Sequence, residues 1–361
     1  MRVGFLTSGG DCQALNATMR GIAKTLYQQK KDIEIIGFLD GYKGLMYENY
    51  RIMKPEDFED ILNLGGTILG TSRCPFNKMR VIENGFDKVA AMKKTYQKLK
   101  LDCLAILGGN GSLKTANLLS QEGLNVIGLP KTIDNDTWGT DYTFGFQSAI
   151  DIATRYLDEI QTTAASHSRV FVVEIMGHKV GHICLSAGIA AGADIILLPE
   201  IPYDIEVVAG EIEKKVKAGK KHIVIACAEG AISKEESLLS KKQYKLKVAT
   251  REGHSVVYEI ANKLSHYIDK EIRVSCAGHA QRGGQPCAYD REISTLFGIE
   301  GAKLIMNKDF GKLVVFVNHR LDAIPLEETA GKLKYVDVQG DTVKNAKLMG
   351  ISFGDEMTLS K

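Results

Sequence analysis

The chain has 361 residues, 44% of them hydrophobic, and its 46 basic and 44 acidic side chains leave a formal net charge of +2. That length exceeds the usual single core and predicts two domains. The near-balance of charge, without a long basic block, gives no compositional support for a nucleic-acid surface.

No stretch approaches the roughly 18 consecutive apolar residues of a membrane span, and Met1-Arg2-Val3-Gly4 enters a strand-like run rather than a leader. A cytoplasmic protein without membrane association is expected. The seven cysteines are scattered and never in C-x-x-C spacing, the pattern of reduced thiols rather than of structural zinc.

In chain order, short runs rich in Val, Ile, Leu and Phe predict strands over 2–7, 33–38, 103–107, 126–129, 170–175, 195–198, 222–226, 273–276 and 312–317. Segments 16–30, 86–100, 147–162, 205–217 and 255–266 have helical length with mixed apolar and charged faces. The alternation predicts an α/β protein of two Rossmann-like domains with mainly parallel sheets and an active-site cleft between them. The expected division is 1–145 plus about 278–330 for one domain and 146–277 plus about 331–361 for the other.

In such sheets ligands bind outside the carboxyl ends of the strands. Three polar segments fall there. Gly109-Asn110-Gly111-Ser112 lets main-chain N–H groups approach phosphate oxygens, and a helix expected to start at Ser112 adds its positive dipole end. In Lys131-Thr132-Ile133-Asp134-Asn135-Asp136 the two carboxylates can divide proton abstraction and Mg²⁺ binding between them, a division suited to phosphoryl transfer. In Gly278-His279-Ala280-Gln281-Arg282, the arginine can fork onto a phosphate, and Glu229, after the apolar run 223–227, can accept from sugar hydroxyls.

These segments, together with Leu6-Thr7-Ser8-Gly9-Gly10-Asp11, Asp40-Gly41-Tyr42, Gly65 to Arg73, Val173 to Gly177 and Ala228-Glu229-Gly230, resemble the phosphofructokinase family from Arg2 to about Val317. The family phosphorylates fructose 6-phosphate at its 1-hydroxyl. Gly139 to Phe146 and the tail beyond Lys332 are most similar to a longer bacterial branch with both ATP-using and diphosphate-using members.

The resemblance implies a catalytic set of Asp134 as general base, Thr132, Arg73 and Lys131. Gly10, Tyr42, Arg73, Gly109, Asn110, Gly111 and Ser112 would bind the donor, and Asn110 and Asp136 would hold Mg²⁺. Thr132, Asp134, Asp136, Met176, Gly177, His178, Glu229, His279 and Arg282 would bind the sugar phosphate. Arg169 and Arg273 match arginines that the family supplies from a neighbouring subunit, which implies a homo-oligomer, a tetramer or a dimer.

Departures from the family pattern bear on the donor. Asn110 stands where many ATP-using members have Asp, and His178 stands where many relatives of the family have Arg. Gly111 leaves space for an ATP α-phosphate where diphosphate-using relatives commonly place Asp, whereas Lys131 occurs in diphosphate-using relatives and in some ATP-using branches. Gln161 replaces an expected effector-binding Arg, leaving Arg20, Lys24, Lys220 and Lys221 as basic residues for an effector. The expected reaction is Mg²⁺-dependent transfer from ATP to fructose 6-phosphate. The alternatives are a reversible diphosphate-dependent enzyme, a lipid or NAD kinase with a similar glycine loop, and a catalytically weakened sugar-phosphate or nucleotide sensor.

Overall fold

The computed structural model describes residues 1–358, with Glu252 described by its backbone alone. The elements run β1 (Arg2–Ser8), α1 (Leu15–Gln29), β2 (Glu34–Phe38), α2 (Tyr42–Tyr47), β3 (Tyr50–Met53), α3 (Lys88–Lys98), β4 (Cys103–Gly108), α4 (Asn110–Gln121), β5 (Val126–Pro130) and α5 (Phe146–His167). They continue with β6 (Val170–Ile175), α6 (His182–Ala190), β7 (Ile195–Leu197), α7 (Ile205–Lys217), β8 (Ile223–Ala228), α8 (Lys234–Ser237), α9 (Lys241–Ala249), α10 (Val256–Leu264) and β9 (Ile272–Cys276). The last are α11 (Ala288–Asn307), β10 (Lys312–Val317), β11 (Arg320–Pro325), α12 (Leu326–Thr329) and α13 (Asp341–Leu348).

The chain divides into two compact units, Met1–Ser148 with Arg282–Lys334, and Ala149–Gln281 with Tyr335–Lys361. The sequence-based boundaries at 145, 278 and 330 lie a few residues before these. Of the tail assigned to the second domain, residues 359–361 lie outside the described residues.

The first unit is built on a seven-stranded sheet of order β11-β10-β5-β4-β1-β2-β3. Its inner strands are parallel, and β3 and β11 are antiparallel additions at the two edges. All six residues of β4 are buried, as expected of a strand covered on both faces. Helices α1 and α11 pack backbone to backbone: a Cβ on Gly21 would lie 2.6 Å from the Thr295 carbonyl oxygen, and one on Gly298 would lie 2.4 Å from that of Thr18. This close approach holds the helix that follows the first glycine loop.

Register decides where the loops emerge. Ser8 pairs with Gly108, and Gly108 with Pro130. Gly9, Gly109 and Lys131 therefore leave the sheet side by side at the carboxyl ends of β1, β4 and β5. Strand order reverses between β1 and β4, with β2 on one side and β5 on the other, which makes this edge a topological switch point.

The second unit has a four-stranded, all-parallel sheet of order β7-β8-β6-β9. Ile175 pairs with Ala228, so Met176 and Glu229 leave adjacent strand ends. Side-chain caps start its flanking helices: Asp204 accepts from the Glu206 N–H ahead of α7, and Ser255 accepts from the Val257 N–H ahead of α10. The last turn of α7 carries Lys214, Lys215 and Lys217, which complement the negative end of its dipole.

The two-unit α/β organisation with mainly parallel sheets agrees with the sequence. The helix expected to start at Ser112 instead begins at Asn110 with Gly109 as its N-cap, because Gly109 alone keeps the extended conformation that precedes the helix. The edge strands β3 and β11 and the helices α2, α6, α8, α9, α11, α12 and α13 were not foreseen. All seven cysteines are free thiols. Among the described residues, no helix is long and apolar enough to cross a membrane.

Candidate functional site

In the first unit the glycine loop after β1 is tied down by its neighbours. The Gly9 N–H donates to the Ser72 carbonyl at 3.2 Å, and the Thr71 hydroxyl donates to the Gly9 carbonyl at 2.8 Å. These bonds bring the loop carrying Arg73 against the first glycine loop, with Arg73 exposed. Lys131 Nζ donates to the Gly10 carbonyl, and Arg282 Nη1 donates to the Asp11 carbonyl at 3.1 Å. Two cations from distant parts of the chain thus converge on residues 10–11.

Lys131 is buried, and burial lowers its pKa. The Arg282 guanidinium acts in the same direction, while Cys12, Asp134 and Asp11 oppose it.

The loop after β4 runs directly into α4. Ser112 is buried, and its carbonyl accepts a 2.7 Å hydrogen bond from Tyr42, itself fully buried. Tyr42 therefore ties the start of α2 to the first turn of α4 through its hydroxyl. Gly111 is exposed, and a Cβ there would meet nothing within 4 Å. The fold itself does not require glycine at that position.

After β5 the chain forms the turn that carries both aspartates. Thr132 Oγ1 accepts from the Asp134 N–H at 3.1 Å, and the Thr143 hydroxyl donates to the Thr132 carbonyl at 2.7 Å. Asn135 adopts a left-handed φ of 54°, and its side chain donates to the Asp141 carbonyl at 3.2 Å, closing the turn internally. Asp134 is partly exposed and Asp136 is buried. Burial raises the Asp136 pKa, opposed by its own N–H, by the Lys131 and Lys334 charges and by Thr132.

The Asp136 Oδ1 is buried with no hydrogen-bond partner among the described residues, a costly state for a carboxylate that a bound cation would relieve. Magnesium takes one or two protein oxygens and keeps several waters, so it needs no cage of acidic side chains. Asn110 donates from Nδ2 to the Lys332 carbonyl at 2.5 Å, which leaves Oδ1 as its remaining metal-binding or water-binding atom.

In the second unit the Glu229 carboxylate accepts from the Gly177 N–H at 3.3 Å and the His178 N–H at 2.5 Å. The loop takes this shape through positive φ at Gly177 and His178. Gln281 Oε1 accepts from the Met176 N–H at 3.1 Å, binding the loop after β6 to the short 3-10 turn that carries exposed His279. Met176, Gly177, His178, Glu229 and His279 thus gather at one edge of the sheet.

Arg169 and Arg273 do not join them. Arg169 precedes β6 and Arg273 is the second residue of β9, at the opposite end of strands that separate the groups by roughly 15–20 Å. Both arginines pair with Glu271, Arg169 at 2.5 Å.

Among the residues considered for an effector, Lys24 pairs with Glu59 at 2.7 Å and Lys220 pairs with Asp194. Gln161 bonds the Ala191 carbonyl and His222.

Sequence reading missed Lys334, Asp290 and Glu200. Lys334 Nζ donates to the carbonyls of Thr140 at 2.7 Å and Asp141 at 2.9 Å. Asp290 accepts from the N–H groups of Gly145 and Ser148, the Ser148 hydroxyl and Tyr142, fixing the start of α5. Glu200 accepts from the N–H groups of Gly181 and Val336. None of these acts through a local pattern.

A family model described as phosphofructokinase matches residues 2–305. The chain is similar to an ATP-dependent 6-phosphofructokinase of Spirochaeta thermophila, with 48% identity over 98% of this chain and 97% of the relative. Among solved structures it is similar to a phosphofructokinase from Saccharomyces cerevisiae, with a TM-score of 0.79 and 27% identity, covering 98% of this chain and 47% of that one. It shares the fold of a pyrophosphate-dependent phosphofructokinase from Marinobacter aquaeolei, with a TM-score of 0.77 at 21% identity, covering 97% and 88% of the two chains. The loops at the strand ends carry the motif residues, and the family model and a relative near half identity span most of the sequence: the chain belongs to the phosphofructokinase family.

Proposed function

We propose that the protein transfers the γ-phosphoryl group of ATP to the 1-hydroxyl of fructose 6-phosphate, giving fructose 1,6-bisphosphate and ADP. Phosphoryl transfer of the 6-phosphofructokinase type follows from membership of the family; the choice of ATP is the finer step. It is supported by Gly111, which leaves open space beside the start of α4 although the fold would accept a side chain there.

In this reading the N–H groups at the start of α4 and the glycine loop after β1 receive donor phosphates, with Lys131 and Arg282 bracing that loop. Asp134 takes the proton of the sugar 1-hydroxyl as its oxygen attacks the γ-phosphorus, and ADP leaves. Thr132 orients the turn through the Asp134 N–H, and exposed Arg73 offsets charge on the transferred group. Asp136 and the Asn110 oxygen would hold Mg²⁺, which would supply charge neutralisation at the phosphates. Glu229, oriented by two backbone N–H groups, receives sugar hydroxyls, while Met176, Gly177, His178 and His279 line the same sheet edge and Arg282 binds the 6-phosphate.

The remote placement of Arg169 and Arg273 supports their use by a second copy of the chain, hence a homo-oligomer. A cytoplasmic location is consistent with seven free thiols.

The test is Gly111→Asp, whose Cβ would meet nothing within 4 Å. It should depress turnover with ATP far more than turnover with diphosphate, and equal effects on the two donors would contradict the reading. Diphosphate as donor is the second reading, favoured by Lys131.

A further inference from the structure

Gly331–Lys334 leaves α12 and runs across the two loops assigned to phosphoryl transfer. The Lys332 carbonyl accepts from Asn110 Nδ2 at 2.5 Å, and the Lys332 ammonium sits 5.9 Å from the centre of the Trp138 ring. Leu333 forms an antiparallel bridge with Thr137. The Lys334 N–H donates to the Asp136 carbonyl at 2.9 Å, while its Nζ reaches the carbonyls of Thr140 and Asp141.

We propose that Lys332–Lys334 is a strap that positions the Asp134–Asp136 turn relative to the start of α4, with Lys334 as its positioning residue and Asn110 as the side chain it requires. Three consecutive strap residues make backbone contacts, and the Lys334 side chain adds two more bonds to the far side of the same turn. Asn135 closes the turn from within by donating to the Asp141 carbonyl, the atom that Lys334 grips from outside. One lysine therefore fixes both limbs of the turn: its N–H holds Asp136, and its ammonium holds Thr140 and Asp141.

The strap also gives Asn110 a physical reason. The Lys332 carbonyl needs a donor, and an Asn amide supplies one. A carboxylate at 110 would set oxygen against oxygen and release the strap from α4. Asn110→Asp restores the charge common at this position in ATP-using relatives, yet here it should weaken the enzyme.

This inference rests on the phosphotransfer reading of the turn, and the experiment separates the two. Wild type, Lys334→Met, Lys334→Arg and Asn110→Asp are compared in kcat, in KM for fructose 6-phosphate and in amide hydrogen exchange over residues 134–141. Lys334→Met should lower kcat roughly 10- to 100-fold, the scale of a small misplacement of reacting groups, with KM for fructose 6-phosphate within about two-fold. Exchange should quicken in 134–141 and stay unchanged in β6 and β8.

Lys334→Arg, which keeps the charge and donors, should recover most of the rate, and Asn110→Asp should lose roughly 10-fold in kcat. A Lys334→Met enzyme with wild-type kcat, a loss of rate without faster exchange in the turn, or a gain of rate in Asn110→Asp would overturn the strap. Wild-type protein inactive with both donors would instead remove the phosphotransfer reading, leaving the exchange comparison to judge the strap alone.

Discussion

The Tyr42 hydroxyl donates to the Ser112 carbonyl at 2.7 Å, joining the residue that opens α2 to the first turn of α4. Both residues are buried, so this bond fixes the first turn of α4 against the start of α2 away from solvent. Tyr42→Phe keeps the ring and removes the bond. It should cost about 1 kcal/mol in denaturant unfolding and raise KM for the nucleotide more than KM for the sugar phosphate. Equal changes in the two KM values would argue against a link between this bond and the donor loop.

Asp134 is the partly exposed carboxylate of its turn, held by the bond from its N–H to Thr132. Replacing it with Ala should lower turnover by roughly 10² to 10⁴, the usual scale for removing a general base, with little change in substrate binding. Steady-state kinetics with direct detection of fructose 1,6-bisphosphate measures both quantities. A variant that keeps its rate would exclude Asp134 as the base.

Arg282→Ala has two expected effects because the guanidinium also anchors the Asp11 carbonyl. Losing a charge-assisted contact to the 6-phosphate should raise KM for fructose 6-phosphate on the order of 10-fold or more. Loosening of the first glycine loop should raise KM for the donor by less. A larger effect on the donor would reassign Arg282 to the donor phosphates.

The elements legible in the sequence were those whose signal is local. Strands β4 and β8 are buried at every position, and their continuous apolar runs are visible without tertiary knowledge. Strands β3 and β11 lie at the sheet edge and carry exposed polar residues such as Arg51 and Asp322, so the same criterion passes over them. Helix α11 buries Asp290, Ile293, Ser294, Phe297, Gly298, Gly301 and Ala302, a clear helical stripe made partly of small and polar residues that hydrophobicity does not register.

The candidate site divides in the same way. Gly109 to Ser112 and Thr132 to Asp136 are contiguous and were visible as motifs, whereas Lys334 reaches the same turn from almost two hundred residues away. No spacing rule connects them; the contact exists only because β10, β11 and α12 return the chain to that edge.

Glu200 provides a test by pH. Burial raises its pKa, against two N–H bonds to Oε1, and Oε2 has no hydrogen-bond partner among the described residues. The folded protein therefore holds a proton more tightly than the unfolded chain. The stability this contributes is full below the ordinary Glu value and is lost as pH rises through the elevated one. Glu200→Gln should flatten that decline and be more stable than wild type near neutrality in denaturant titrations. A variant less stable than wild type at every pH would show that Glu200 is retained as a carboxylate.

The most direct test of the central claim is the initial rate of purified protein with fructose 6-phosphate and Mg²⁺, comparing ATP with diphosphate at matched concentrations. Fructose 1,6-bisphosphate should form with ATP at a rate well above that with diphosphate. Preference for diphosphate would contradict the assignment of the donor to the open space at Gly111 and assign Lys131 and its surroundings the deciding role.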